Sequence, residues 1–242
     1  MREVVWMKPK MLVSDYDQTF YLNDKDIIEN INAVREFREK GNIFVIATGR
    51  SYLDLQKKVN MYNLEYDYAL INHGATIIDN KGNVLNNFSI KNEIKEKIKN
   101  DLELERAENY FCCSELQSRV DFDYPNLTKI AITYQNGVNV KNISDKLNFK
   151  YKDINAYMVS KYMLETISKD TDKANSIKLL SNYLKFHLEN IYTIGDGDSD
   201  IYMVRDYKGY AIKNAQKELK KVAIKEYNSV SDLIKDILNN II

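Results

Sequence analysis

The chain has 242 residues, a length that suits one large domain or two unequal ones. Lys plus Arg and Asp plus Glu number 35 each, so the net charge is zero and general nucleic-acid binding is disfavoured. With 44% hydrophobic and 29% charged residues, and only 8 Gly and 2 Pro, the composition excludes a disordered or fibrous chain.

Three short apolar runs in the first third of the chain indicate buried strands, at Met11 to Val13, Ile43 to Ala47 and Tyr68 to Ile71. Between the first two, apolar residues recur at three- and four-residue steps and predict an amphipathic helix that ends near Gly41. Ser51 is expected to cap a shorter helix after the second run. This βαβαβ order predicts a doubly wound, mainly parallel α/β sheet.

The last third of the chain resumes the same alternation. It predicts a helix at Ile177 to Leu184, a strand at Ile191 to Ile194, a helical turn at Tyr202 to Val204, a strand at Gly209 to Ile212 and a helix at Gln216 to Ala223.

The middle of the chain differs from both ends. Asn80 to Asn83 is a turn signal for a β-hairpin. Helical spacing follows at Asn92 to Glu105 and at Val140 to Phe149, and strand patterns at Thr128 to Tyr134 and at Tyr157 to Ile167. We interpret residues 79–168 as an α+β domain inserted into an α/β core made of residues 1–78 and 169–242.

Several features favour a soluble cytoplasmic protein. Met1 to Lys10 interleaves charged and apolar residues, unlike a signal peptide, and no apolar stretch is long enough to cross a membrane. Cys112 and Cys113 are adjacent, and neighbouring cysteines rarely bridge. We interpret them as packing residues in a reducing compartment.

Polar residues follow the buried strands, where an open α/β sheet binds its ligands. Four acids would meet at that edge, and a hard divalent cation such as Mg²⁺ would relieve their repulsion. These acids are Asp15, Asp17, Asp196 and Asp200. Thr48, Gly49, Arg50 and Lys173 would supply the hydroxyl, backbone N–H and cationic groups of a phosphate site. A carboxylate beside Mg²⁺ and a phosphoryl group can act as a nucleophile.

With these motifs in order, the sequence resembles the haloacid dehalogenase (HAD) superfamily, and most closely its Cof-type sugar-phosphate phosphatases with an inserted α/β cap. The matching segments are Asp15-Tyr16-Asp17-Gln18-Thr19, Ala47-Thr48-Gly49-Arg50, Lys173, Gly195 to Asp200, His73-Gly74-Ala75 and Asn214-Ala215. The resemblance implies an Mg²⁺-dependent phosphatase that acts on a small phosphorylated metabolite, with a sugar phosphate as the expected class.

The resemblance also implies a role for each matched residue. Asp15 would be the nucleophile and a metal ligand, and Asp17 the general acid/base, with its backbone carbonyl on the metal. Thr48 and Lys173 would hold the phosphoryl oxygens, and Asp196 and Asp200 would complete the metal site. The expected substrate-binding residues are Thr48, Gly49, Arg50, His73, Lys173 and Ser199.

Three positions depart from the family pattern, and alternatives remain open. Gln18 replaces a usual Gly, Ser199 a usual Asn, and His73 the Asn of an NGA motif. His73 can equally be a turn residue, and Arg50 can equally pair with an acid. A phosphomutase and a non-catalytic sugar-phosphate binder are the main alternative functions. A receiver-like signalling module is disfavoured, because it needs only about half this length.

Overall fold

A computed structural model of the protein describes residues 8–242. The interpretation of Met1 to Lys10 therefore falls mostly outside the described residues. The strands are β1 (Met11–Asp15), β2 (Ile43–Ala47), β3 (Tyr68–Ile71), β4 (Thr76–Asp79), β5 (Val84–Asn87), β6 (Ala107–Ser114), β7 (Gln117–Val120), β8 (Lys129–Tyr134), β9 (Ile154–Ser160), β10 (Met163–Ser168), β11 (Ile191–Gly195), β12 (Lys208–Ile212) and β13 (Glu226–Tyr227). The helices are α1 (Asp24–Glu39), α2 (Tyr52–Tyr62), α3 (Asn92–Ile98), α4 (Val140–Lys150), α5 (Lys173–Tyr183), α6 (Ile201–Asp206), α7 (Lys217–Lys220) and α8 (Val230–Leu238).

The described chain divides into two compact units. Unit 1 comprises residues 8–47, 62–69 and 177–242, and unit 2 comprises residues 48–61 and 70–176. The predicted insertion, residues 79–168, lies wholly within unit 2. Its status as a separate domain remains a prediction.

Unit 1 is built on a parallel sheet. Its strand order is β13-β12-β11-β1-β2, followed by the first half of β3, and each registered pair from β13 to β2 is parallel. β1 is buried along its whole length, as expected for a central strand covered on both faces. The predicted α/β fold class is confirmed. Because β11 pairs with β1, the segments that leave their carboxyl ends start side by side.

Helix α1 has clear start and stop signals in the sequence, which made it predictable. The side chain of Asn23 accepts hydrogen bonds from the N–H groups of Lys25 and Asp26, which caps the first turn. The helix ends at Glu39, and Gly41 follows with a φ of 81° and donates its N–H to the carbonyl of Arg38. The predicted helix and its glycine stop are confirmed.

A buried amide joins α1 to the C-terminal helix α8. The Nδ2 of Asn30 donates to the carbonyl of Phe20 at 2.8 Å, and its Oδ1 accepts from the N–H of Ser231, also at 2.8 Å. Asn30 is fully buried, so these bonds replace the water that its amide would otherwise hold.

Unit 2 contains the second sheet, which has the order β7-β6-β8-β10-β9 and antiparallel pairs. An apolar cluster packs around it, including Ile98, Ile130, Leu147 and Leu164. The predicted hairpin is confirmed as β4 and β5, which pair antiparallel across the turn at residues 80–83.

Several elements differ from the sequence-based expectations. The helix predicted to reach Glu105 ends at Ile98, because the chain turns there and Glu103 adopts a left-handed φ of 48°. The helix predicted to reach Ala223 is the single turn α7. Strands β6, β7 and β13 and helix α8 were not predicted.

The two cysteines are packing residues with free thiols, as expected. Burial raises the pKa of the Cys112 thiol to about 12, and burial also raises the pKa of Cys113. Within residues 8–242, no helix is both long and apolar enough to cross a membrane.

Candidate active site

Three carboxylates gather at the carboxyl ends of β1 and β11 in unit 1. Asp15 ends β1, Asp196 follows β11, and Asp200 ends the short 3₁₀ turn that comes next. Each contributes one carboxylate oxygen to a group whose atoms all lie within 4.8 Å of one another. Asp15 is 7% exposed and Asp200 1%, whereas Asp196 is half-buried.

The loop from Gly195 to Asp200 is folded around the Asp200 carboxylate. Asp200 Oδ2 accepts the N–H groups of Asp196 at 3.0 Å and of Gly197 at 3.2 Å. Gly195 makes room for this arrangement, since a Cβ there would lie 2.5 to 2.6 Å from side-chain atoms of Asp200. The glycine and the two amides therefore fix where the carboxylate sits.

Side chains also link the segment that follows β1 to the segments that follow β11 and β12. Thr19 Oγ1 donates to Asp196 Oδ1 at 3.2 Å, and Asn214 Nδ2 donates to the carbonyl of Gln18 at 3.4 Å. Gln18 has a φ of 63°, a left-handed conformation that glycine adopts more freely. The turn therefore has a glycine-type geometry although its residue is Gln18.

The charge of the carboxylate group calls for a cation. Three like charges within 4.8 Å repel one another by on the order of 3 kcal/mol per pair at an effective dielectric constant of about 20. Mg²⁺ prefers carboxylate oxygens and keeps several water ligands, and the half-exposed Asp196 leaves one side of the group open to solvent. These residues fit a hard divalent ion.

The segment Thr48 to Arg50 is fixed at all three of its carbonyl groups, by contacts within unit 2. The N–H of His73 donates to the carbonyl of Thr48 at 2.9 Å, and the N–H of Asn72 donates to that of Arg50 at 2.9 Å. The carbonyl of Gly49 accepts from Lys129 Nζ at 2.6 Å. The sequence places Thr48, Gly49, Arg50 and His73 in one site, and the structure brings these four residues together.

A buried ionic cluster lies beside this segment. Lys129 Nζ donates to Glu165 Oε1 at 2.9 Å, and His73 Nε2 donates to Glu165 Oε2 at 2.5 Å. All three side chains are at most 8% exposed. A Cβ on Gly49 would lie 2.6 Å from the His73 ring and 3.2 Å from Glu165 Oε2, so only glycine fits against the cluster.

Acidification should lower the free energy of unfolding, because it protonates Glu165. Burial by itself raises the pKa of Glu165, but the Lys129 charge and the His73 hydrogen bond outweigh it and lower the pKa to about 2. The carboxylate therefore stabilises the fold above its ordinary pKa of 4.5, and this contribution is lost as the pH falls from 4.5 to 2. The expected loss of unfolding free energy is about 3 kcal/mol.

Urea unfolding of the wild type and of Glu165→Gln between pH 7 and pH 2 measures this contribution. Glu165→Gln is expected to be less stable at pH 7, because it leaves Lys129 without a buried counter-charge, and the difference should shrink towards pH 2. A difference that stays constant across this range would contradict the prediction.

The remaining predicted site residues occupy defined positions. Lys173 is the first residue of α5 and is 1% exposed, whereas Lys178, one turn further along the same helix, is exposed. Asp17 is half-buried, two residues beyond Asp15. The hydroxyl of Ser199 donates a hydrogen bond to Asp200 Oδ1 at 3.4 Å, so Ser199 contacts one of the clustered carboxylates. The chemical roles of these residues remain predictions.

Sequence reasoning missed Lys129 and Glu165. Each is a charged residue within a strand, where such a residue is ordinarily solvent-facing, and they are 36 residues apart. Lys129 is the second residue of a predicted strand, and nothing in the local sequence distinguishes a buried lysine there from an exposed one.

Comparison with known proteins gives consistent matches along most of the chain. The sequence profile of the family described as sucrose-6F-phosphate phosphohydrolase matches residues 8–235. The 5-amino-6-(5-phospho-D-ribitylamino)uracil phosphatase YcsE of Bacillus subtilis (strain 168) is 25% identical over 223 residues, covering 88% of each chain.

Solved structures share the fold. A haloacid dehalogenase-like hydrolase from B. subtilis has a TM-score of 0.82 at 19% identity, covering 93% of this chain and 99% of that one. The HAD subclass IIB sugar phosphatase BT4131 has a TM-score of 0.78 at 18% identity, covering 96% of this chain and 100% of that one. The parallel sheet and the order of the elements therefore match HAD-like hydrolases.

Proposed function

This chain belongs to the sucrose-6F-phosphate phosphohydrolase family of the HAD superfamily, and from that premise we propose that it is an Mg²⁺-dependent phosphatase of small sugar or polyol phosphates. The observation that carries the proposal is the group of three carboxylates, Asp15, Asp196 and Asp200, at the sheet edge. Three carboxylates can bind a divalent cation, and that cation would offset the negative charge of a phosphate ester and of the carboxylates themselves.

In the proposed reaction, a carboxylate oxygen of Asp15 attacks phosphorus and the bond to the leaving oxygen breaks. Asp17 gives its proton to that oxygen. Water then attacks the aspartyl-phosphate, Asp17 takes a proton from the water, and inorganic phosphate leaves. Bound Mg²⁺, held by Asp15, Asp196, Asp200 and the carbonyl of Asp17, would offset the negative charge of the phosphoryl group.

Thr48 and Lys173 are assigned to the phosphoryl oxygens. The hydroxyl of Thr48 accepts the N–H of Arg50 at 3.1 Å, which leaves its own O–H to donate. Lys173 is buried at the first residue of α5, where an ammonium group benefits from an anionic partner. Gly49, Arg50, His73 and Ser199 remain proposed substrate contacts, on the basis of the family resemblance.

The proposed substrate class follows from the relatives. The B. subtilis relative is named for a substrate with a phosphorylated ribityl chain, and a structural neighbour is named a sugar phosphatase. Both names describe a phosphate ester on a small polyhydroxylated carbon chain. We propose the same class here, and a cytoplasmic location in keeping with the free thiols of Cys112 and Cys113.

A phosphate-release screen tests this proposal. The panel contains hexose, pentose and polyol phosphates together with para-nitrophenyl phosphate, each assayed with Mg²⁺ and with excess EDTA. We expect release of inorganic phosphate from at least one sugar or polyol phosphate, with loss of turnover in EDTA. Isomerised phosphate ester without free phosphate would indicate a phosphomutase. Tight binding with no turnover would indicate a non-catalytic binder.

A further inference from the structure

The segment Thr48 to Arg50 is supported by a charged pair that has no role in the reaction proposed above. Lys129 Nζ lies 2.6 Å from the carbonyl oxygen of Gly49 and 2.9 Å from Glu165 Oε1. Lys129 is 2% exposed and Glu165 5%. Both groups are thus held in the interior of unit 2, next to a segment assigned to phosphate binding.

A single peptide group, between Gly49 and Arg50, connects Lys129 to the Thr48 hydroxyl. A peptide unit is planar and trans, so the carbonyl of Gly49 and the N–H of Arg50 point in opposite directions. The carbonyl accepts a hydrogen bond from the Lys129 ammonium, and the N–H donates to Thr48 Oγ1 at 3.1 Å. Fixing the carbonyl therefore also fixes the donor that holds the Thr48 hydroxyl.

The direction of these hydrogen bonds determines what the hydroxyl can do. Because Thr48 Oγ1 accepts from Arg50, its O–H is left to donate, which is the orientation that a phosphoryl oxygen requires. A cation on the carbonyl also polarises the peptide and strengthens its N–H as a donor.

Stability alone does not explain why this pair is charged. Replacing a buried ion pair with apolar residues of similar volume is often neutral or stabilising. An apolar residue at position 129 would, however, leave the carbonyl of Gly49 without the donor that Lys129 supplies. The lysine therefore provides a directed contact that packing cannot replace.

We propose that Lys129, held in place by Glu165, is a positioning residue that orients the Thr48 hydroxyl through the Gly49 peptide. The inference rests on the proposed function, in which Thr48 binds a phosphoryl oxygen. Lys129 touches neither the substrate nor the reacting atoms in this account, and it acts only through the segment that it holds.

The test compares Lys129→Met with the double variant Lys129→Met/Glu165→Gln. The single variant leaves a buried carboxylate without its ammonium partner, and the double variant removes that cost. The matched control is Lys95→Met, since Lys95 is likewise a buried lysine of unit 2, 5% exposed, but donates to the carbonyl of Tyr124. Each protein is assayed by urea unfolding, by calorimetry with inorganic phosphate, and by kcat and KM.

We expect the double variant to recover stability relative to Lys129→Met while phosphate binding and kcat/KM stay about 10- to 100-fold below wild type. Lys95→Met should bind phosphate as the wild type does. Recovery of both stability and phosphate binding in the double variant would overturn the proposal, because Lys129 would then have only a structural role.

Amide hydrogen exchange separates this inference from the proposed function. In Lys129→Met, the Arg50 N–H should exchange faster, whereas the Thr48 N–H, which donates to the carbonyl of Leu70 at 2.8 Å, should not change. Unchanged Arg50 exchange overturns the positioning role even if the enzyme is an active phosphatase. The opposite outcome is faster Arg50 exchange in Lys129→Met, combined with a wild type that neither binds inorganic phosphate nor releases it from any ester. This outcome overturns the proposed function, and with it the role of the segment in catalysis.

Discussion

Asp15→Asn is expected to lower phosphatase turnover by at least about 10⁴-fold, because an amide cannot form the aspartyl-phosphate. The fold should survive. Asp15 is one of three clustered carboxylates, and removing its charge relieves repulsion, so the unfolding free energy measured without added metal should not fall. Initial rates on the best substrate of the screen, together with urea unfolding, measure both effects.

Asp198→Asn is the matched control for this prediction. Asp198 lies in the same loop as Asp200, is exposed, and is absent from the carboxylate group. We expect its rate to stay within about threefold of wild type, as is usual for a surface substitution. A wild-type rate in Asp15→Asn would refute the assigned nucleophile. Equal inactivity in both variants would point to loss of the loop structure instead.

Gly195→Ala should weaken metal activation by about 10- to 100-fold. A Cβ at this position would lie 2.5 to 2.6 Å from Asp200 side-chain atoms, so the carboxylate has to move from its place against the end of β11. The concentration of Mg²⁺ that gives half-maximal activity should rise accordingly. Binding of Mn²⁺, followed by electron paramagnetic resonance, should weaken in parallel without any need for turnover.

Gly197→Ala provides the comparison. Gly197 is two residues away in the same loop, and the nearest atom to a Cβ there is Gln216 Nε2 at 3.7 Å, an ordinary van der Waals distance. Its N–H remains available to Asp200 Oδ2 in the alanine variant. Metal affinity should therefore stay close to wild type. Equal effects of the two substitutions would show that crowding of Asp200 is not the cause.

The parallel core was predictable because its signals are local. Apolar runs mark β1, β2 and β11, and the stop of α1 at Gly41 needs only the glycine and the spacing before it. The convergence of Asp15 with Asp196 followed from a general rule about sheet edges, and it occurs because β11 and β1 are neighbours.

Other elements escaped prediction for identifiable reasons. The charged spacing after Asn92 continues beyond Ile98, but the turn that buries Leu102 ends the helix, and tertiary contacts of this kind leave no local signal. Helix α8 was not predicted although its signals are local: Ser229 caps it, and its buried residues keep helical spacing, at Val230, Leu233, Ile234 and Ile237.

The charged cluster of unit 2 was beyond sequence reasoning. Lys129 and Glu165 pair across neighbouring strands, and His73 contacts Glu165 from a turn 92 residues earlier in the sequence. Charged residues in strands are ordinarily solvent-facing, so only the three-dimensional arrangement reveals that these are buried.

The buried amide of Asn30 ties the far end of the chain to its beginning. Its two hydrogen bonds connect the first turn of the terminal helix to Phe20, whose N–H in turn donates to the carbonyl of Asp15 at 3.2 Å. A truncation before Ser229 would remove the bond from Ser231 to Asn30 and expose the apolar residues of α1 that α8 covers. Expression fragments should therefore retain residues 229–242, and support for β1 is complete only once α8 has been synthesised and packed against Asn30.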